Sequence, residues 1–447
     1  MRDRFLWWGC VAYAALFTWL GAIKYSVHRN LVDFGIFQQT AASAFGCLCN
    51  PLEGSHWAFH FSPILYVMGL AVAIAPSPMT LIALQAVAGA LCAPPVYAIV
   101  RRRSDPSIAR LAALVVWLYP PLAGLIFGDV HENGFAPAAV AWTLFAFDSG
   151  RLGWAALFAA LTLAVKEDQA FFLAFAGLCG AVAYRHDPAR FRFALGVVAV
   201  SIAVALTFFV AIQPHADVNP QWQPVRFYAW TAQDWRELVV RGLAARAGFI
   251  VLVLAPLAFV PVRTRVMLLA VPPLVEVLAS RMSTTFTLGT HYAGAWAGYV
   301  LIAFAAGAAD LAQRGRARVV LFWALGLCVA ELLLANPLHP GINLRWVQPR
   351  DRVLDAVLRA LPRDASVATQ EEAYTHLALD DSFARLLPEN PSVETQACLV
   401  LIDRAYPESP RLQEYGAALN RLVVTGRYVG VMRAGDIEIY RRITPCR

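Results

Sequence analysis

Long apolar runs, each closed by a short polar cluster, recur along the first three quarters of the chain. With roughly 20 apolar residues needed to span a bilayer as helix, eleven runs qualify, some only if polar loops dip in at their ends. They are Phe5 to Tyr25, Met79 to Val100, Ile108 to Phe127, Gly134 to Phe147, Trp154 to Val165, Gln169 to Tyr184, Phe193 to Ile212, Gly248 to Val260, Val266 to Ala279, Ala293 to Ala309 and Val319 to Ala335. A twelfth, Phe61 to Ala75, is short and fenced by Pro63, Pro76 and Pro78, and reads as a surface or re-entrant helix. Past Asn336-Pro337-Leu338-His339-Pro340-Gly341, a breaker-rich link, charges are spread throughout. There Ser366 to Thr369 and Cys398 to Ile402 predict strands, Pro410 to Leu422 a helix, and Tyr428 to Tyr440 a hairpin around Ala434-Gly435.

The fold class expected is therefore an all-α polytopic membrane protein of about eleven transmembrane helices plus a surface or re-entrant helix, with a small C-terminal extracytoplasmic α/β domain. Residues 1–336 form the transmembrane part, with an external first loop at 26–78, and residues 337–447 the soluble domain. Within the loop, Phe34, Phe37, Ala41 and Phe45 recur at helical spacing, which predicts a short helix lying on the membrane.

Composition agrees. Of 447 residues, 59% are hydrophobic and 15% charged, with a mean hydropathy of +0.55, too apolar for a chain that must cover itself with polar groups in water. The net charge of +7 is carried in short groups between apolar runs rather than one stripe, so it marks topology and not nucleic acid. If Phe61 to Ala75 does not span, Arg2/Arg4, Arg101 to Arg103, Arg151, Arg185/Arg190/Arg192, Arg263/Arg265 and Arg314/Arg316/Arg318 fall on one side, which the positive-inside rule makes cytoplasmic. The amino terminus is then inside and the C-terminal domain outside the cytoplasmic (inner) membrane. No cleavable signal peptide is evident at the amino terminus. Cys10, Cys92, Cys179 and Cys328 lie in apolar runs as packing residues, whereas Cys47, Cys49, Cys398 and Cys446 lie in polar segments that would meet an oxidising compartment. Their pairing cannot be read from sequence.

The same topology gathers Asp33, His60, Asp129, His131, Glu132, Lys166, Glu167, Asp168, His291 and Tyr292 on the outer face. Ionised groups are costly within hydrocarbon, so such clusters belong at a surface or in a wet cavity and are functional candidates. A carboxylate near a low-dielectric wall can serve as a general base, and a lysine or metal can hold a departing phosphate. Each residue also has an ordinary structural role open to it. Asp129 with Glu132 fits a capping box, Asp33 a helix cap, Lys166 with Glu167 or Asp168 an ion pair, and His60 and His291 hydrogen-bonded interface histidines.

Taken together, Asp33-Phe34-Gly35-Ile36-Phe37-Gln38-Gln39, His60-Phe61-Ser62-Pro63-Ile64-Leu65, Pro76-Ser77-Pro78 with Leu84-Gln85, Asp129-Val130-His131-Glu132-Asn133 and Val165-Lys166-Glu167-Asp168 resemble the DUF2079 family of predicted membrane proteins. Its layout is similar to that of the GT-C glycosyltransferases, which take a sugar from a polyprenyl phosphate at the outer face. That resemblance implies an inverting transferase with a lipid-linked sugar donor, an unspecified acceptor and membrane lipids as partners. It puts Asp33 in the place of the first-loop acid, Asp129 or Glu132 in that of the second-loop acid, with His131 beside them, and Lys166 near the phosphate. Glu167, Asp168, His60, His291 and Tyr292 would complete the substrate and phosphate site. The second loop has no Asp-x-Asp pair, so the metal is unknown, with a divalent ion on His131, Glu132 and a distant histidine as the arrangement left open. Two rival readings are a transporter or flippase of a lipid-linked or small polar substrate, and a non-enzymatic membrane protein presenting its external domain.

Overall fold

The structure, a computed structural model, describes residues 3–216, 225–228, 232–237, 242–335, 338, 345–379, 384–387, 397–406 and 412–445. The chain divides into two compact units: residues 1–18, 57–67 and 82–340 form one, and residues 19–56, 68–81 and 341–447 the other.

The first unit is a helical bundle built around Ala293–Gln313, a helix buried along most of its length. Its composition explains that position. A Cβ on Gly294 would stand 2.2 Å from the carbonyl oxygen of Asn133, and one on Gly298 would stand 2.7 Å from that of Pro137. Two glycines one turn apart thus let the backbone at 133–137 lie directly on the central helix, the small-residue solution to packing where water supplies no driving force between helices.

Among the described residues five helices are long and apolar enough to cross a membrane: Arg4–Ser26, Pro78–Arg101, Pro188–His215, Ala293–Gln313 and Ala317–Leu334. A sixth is the pair Pro106–Trp117 and Pro120–Phe127, bent by 48° where Pro120 and Pro121 restart the helix. Several of the eleven expected spans are shorter helices instead. Leu152–Leu163 has 12 residues and Asp168–Ala183 has 16, and the run Val266 to Ala279 is divided into a 3-10 stretch, Arg265–Ala270, and a nine-residue helix, Val271–Ala279, opening on Pro272-Pro273. Hydropathy counts apolar residues and not unbroken turns, and proline and 3-10 breaks account for the difference. Ile64–Ile74, at 11 residues, is too short to cross alone.

The second unit carries a five-stranded sheet in the order Ala384–Leu386, Val367–Thr369, Leu399–Asp403, Ile437–Arg442, Tyr428–Ala434. The first three strands are parallel, and the last two run antiparallel as a hairpin. The hairpin, both expected strands and the helix Leu412–Val424 lie where the apolar periodicity put them. Pro349–Ala360 and Glu371–Leu377 are additional helices.

One expectation in this unit is overturned. The helix Val32–Ala42 does not lie on a surface, since Phe34 to Ala41 are all buried, polar residues included. Gln39 explains how: its amide donates to the Ala384 carbonyl at 2.9 Å and its oxygen accepts from the Tyr374 hydroxyl at 2.5 Å. Gly35 lies against the Tyr374 ring, which a Cβ would meet at 2.3 Å. The first-loop helix is therefore part of the core it shares with the C-terminal residues. A disulfide joins Cys47 to Cys49, Cys398 is disulfide-bonded as well, and Cys10, Cys92, Cys179 and Cys328 are free thiols. The link Asn336 to Gly341 lies, apart from Leu338, outside the described residues, as do Pro410 and Cys446.

Candidate functional site

The site in the first unit is assembled where the helix Pro120–Phe127 stops. Its last carbonyls need partners, and the buried Gln85, from the helix Pro78–Ala90, supplies them. The Gln85 amide reaches the Leu125, Ile126 and Asp129 carbonyls at 3.4, 3.2 and 3.5 Å, and its oxygen accepts the His131 backbone N–H at 3.0 Å. One side chain so fixes the turn that carries Asp129, His131 and Glu132. Gly134 leaves room for it, because a Cβ there would stand 2.5 Å from the Gln85 oxygen.

From this turn a 3-10 helix, Glu132–Phe135, begins, and its N-cap is His131, whose Nδ1 lies 3.3 Å from the Asn133 backbone N–H. The capping-box reading of Asp129 is thus corrected: the imidazole two residues on takes that position. Nδ1 of His131 also lies 2.7 Å from Glu132 Oε2. A neutral Nδ1 can accept from Asn133, whereas a protonated one donates to Glu132, so the two contacts belong to different protonation states. The shorter favours the ion pair. His131 stacks on His291 with ring centroids 3.9 Å apart and planes 11° apart, and Tyr292 flanks His291 at 4.1 Å.

A second arm comes from the turn between Leu152–Leu163 and Asp168–Ala183. Glu167 holds His60 Nδ1 at 2.8 Å through one oxygen and accepts the Phe61 N–H at 2.9 Å through the other. The Ile64 N–H donates to the Ala164 carbonyl at 2.8 Å, so residues 60–64 are fastened to this turn at both ends. Lys166 Nζ lies 3.9 Å from Asp168 Oδ2, with both side chains largely buried.

Electrostatics join the two arms. Burial would push the Glu132 carboxyl up, yet the positive charge of His131, with His60 and Lys166 behind it, holds it well below the usual carboxylate range. Burial acts in the same direction on Glu167 and is outweighed by His60 and then Lys166, leaving it at about 2. Lys166 is held above its ordinary value despite burial, because Asp168, Glu167 and Glu132 all face it, with Tyr292 nearby. The result is a buried ammonium facing three carboxylates, with His60 within electrostatic reach, a group that can receive the oxygen atoms of an anionic substrate.

His60, His131, Glu132, Lys166, Glu167, Asp168, His291 and Tyr292 are thus brought into one site, and Asp129 enters it through its backbone carbonyl. Asp33 belongs to the other unit, half-buried in the first turn of Val32–Ala42, where the N-cap is Leu31 and not the aspartate. Two participants were not placed in the site by the sequence reading. Gln85 and Glu276, the latter within electrostatic reach of Asp168, Lys166 and Glu167, are single polar residues inside apolar runs, and that interruption was the available signal. Among the described residues His131, Glu132 and His291 do not offer three donor atoms within a common ion's reach.

Residues 25–437 match the family described as predicted membrane protein, DUF2079. The chain belongs to that family. No curated protein matches it. Solved structures similar to this DUF2079 protein are GT-C glycosyltransferases. ArnT from Cupriavidus metallidurans, bound to undecaprenyl phosphate, superposes with a TM-score of 0.54 at 13% identity, covering 96% of this chain and 97% of that one. The oligosaccharyltransferase of Archaeoglobus fulgidus in its apo form gives 0.47 at 12% identity, over 94% and 73% of the two chains. At 13% identity the likeness to ArnT is one of fold.

Proposed function

We propose that this DUF2079 protein is a GT-C-type glycosyltransferase, moving a sugar from a polyprenyl-phosphate donor to an acceptor at the outer face of the cytoplasmic membrane. The observation that carries the reading is the buried Lys166, set among Asp168, Glu167 and Glu132 in a chain whose fold is shared with an enzyme solved bound to undecaprenyl phosphate. In the step proposed, the acceptor oxygen bonds to the anomeric carbon as the bond from that carbon to the phosphate oxygen breaks. The phosphate departs with the electron pair toward Lys166, and the acceptor's proton passes to a carboxylate of the turn at 129–132. Inversion at the anomeric carbon follows from this single displacement. Glu167 positions His60 and the Phe61 backbone, and Gln85 positions the turn bearing His131 and Glu132.

The test is transfer by purified protein supplied with a panel of labelled polyprenyl-phosphate sugars and a membrane lipid extract as acceptor. Release of free polyprenyl phosphate coupled to label in a new product, slowed about 10²- to 10³-fold in Lys166→Met, is the expected result. Failure across the panel, with full function in cells carrying Lys166→Met, overturns it.

A further inference from the structure

A separate cluster lies wholly within the second unit. His28 follows the end of the helix Arg4–Ser26 in a left-handed backbone conformation, φ +55°, which a non-glycine residue keeps only where the surroundings impose it. Its side chain is fully buried, and neither ring nitrogen finds a hydrogen bond of acceptable geometry. Nε2 of His28 nonetheless lies 3.1 Å from Asp355 Oδ1, and Nδ1 of His376 lies 3.8 Å from that same oxygen. One donor atom from each of the three residues lies within 4.8 Å of the others.

The second layer of contacts fixes the donors. His376 Nε2 is 3.0 Å from the Tyr25 carbonyl. A carbonyl only accepts, so Nε2 carries the proton and a neutral His376 presents the Nδ1 lone pair toward Asp355. At 3.8 Å that lone pair faces a carboxylate oxygen with no hydrogen bond between them. Beyond His28, Asp351 lies 4.0 Å from Nδ1, and Arg345 holds that carboxylate through two contacts at 2.6 and 2.9 Å. A histidine oriented by a backbone carbonyl and another backed by a held carboxylate are the surroundings that metal-binding imidazoles have. Nitrogen and oxygen ligands about 2.1 Å from a tetrahedral ion stand roughly 3.4 Å from one another, and the two distances to Asp355 Oδ1 bracket that value. Asp355 and His376 also border a cavity of about 570 Å³ with Tyr25, Arg359 and Arg363, which gives an ion a way in and a fourth coordination position.

We propose that His28, Asp355 and His376 form a binding site for a zinc-like divalent transition-metal ion. Two imidazoles with a single carboxylate select this class over calcium or magnesium, which take oxygen ligands. The rings of His28 and His376 are stacked with centroids 4.0 Å apart, and an ion lies in the plane of each ring that binds it, so loading tilts His28, whose nitrogens carry no hydrogen bond, while the Tyr25 carbonyl keeps hold of His376. The ion would fasten the end of the first long helix to Pro349–Ala360 and Glu371–Leu377, tying three distant parts of the chain at one point.

The experiment uses the full-length protein in detergent, stripped with a chelator, reloaded with Zn²⁺, desalted and measured for metal per chain by mass spectrometry, with a melting curve before and after loading. Expected are one equivalent of zinc retained by the wild type and by His186→Gln, its loss in Asp355→Asn and in Asp355→Asn with His376→Gln, and a zinc-dependent rise in melting temperature that both variants lack. The equivalent persists in Glu132→Gln, which separates this site from the Lys166 cluster. Asp355→Asn keeps the shape of a partly exposed side chain, and its melting curve in chelator reports folding independently of zinc. Wild-type protein that retains no zinc, or Asp355→Asn that retains the full equivalent, overturns the proposal.

Discussion

His60 and Glu167, 107 residues apart, meet through an Nδ1 to Oε1 contact of 2.8 Å, and the other Glu167 oxygen takes the Phe61 N–H. Burial and Lys166 oppose a charge on His60, but Glu167 prevails and raises the His60 pKa above its ordinary 6.5, while Glu167 falls from 4.5 to about 2. A raised histidine contributes stability fully below pH 6.5 and loses it as pH climbs through the folded value. A lowered carboxylate contributes above pH 4.5 and loses it as pH falls toward 2. The melting-temperature difference between wild type and His60→Gln is therefore expected to be greatest between about pH 4.5 and 6.5 and to shrink on both sides. A difference that does not change from pH 5 to pH 9 excludes the ion pair.

Lys166 faces three carboxylates. Lys166→Met leaves them uncompensated, a loss of roughly 3–5 kcal/mol by the usual cost of breaking a buried pair, and the proposed reaction slows by about 10²- to 10³-fold, as when one preorganised donor to developing charge is removed. Lys166→Arg restores most of the stability. Chemical denaturation read alongside turnover separates the two effects.

Gln85 positions the turn at 129–131 through its side chain alone. Gln85→Leu keeps its bulk while orphaning buried backbone groups, which costs about 1–3 kcal/mol. Gln85→Glu keeps the acceptor for His131 and loses the donors. If Gln85 positions the site, turnover falls in both variants with substrate KM nearly unchanged; equal turnover in both and in wild type removes that role.

Gly294→Ala places a Cβ 2.2 Å from the Asn133 carbonyl, and backbone cannot yield as a flexible side chain does. Overpacking of this kind costs about 1–3 kcal/mol, and the residues displaced are those next to Glu132. Gly248→Ala, where a Cβ meets nothing within 4 Å, is the matching control in an apolar helix. Thermal unfolding in detergent should lower the melting temperature of the first variant and leave the second near wild type.

The chain's own order of residues determined that it is a membrane protein, because apolar runs of spanning length can be counted without knowing what they touch. The C-terminal strands at Val367–Thr369 and Leu399–Asp403 and the hairpin after Tyr428 were legible for a related reason: alternation and turn residues are local. The polar clusters at 129–132 and 166–168 stood out because charge between apolar runs is costly wherever it ends up.

Tertiary structure decided what locality cannot express. Whether Phe34 to Ala41 faced a membrane or a protein core depended on Tyr374 and Ala384, more than 330 residues away. That His131 and not Asp129 caps its turn depended on Gln85, and that His60 serves Glu167 rather than another acid depended on two turns being tied together. His28, Asp355 and His376 carry no shared motif; their grouping around one carboxylate oxygen exists only in three dimensions. Periodicity reports the environment a segment requires, whereas the identity of a polar group's partner is set by how the chain returns on itself.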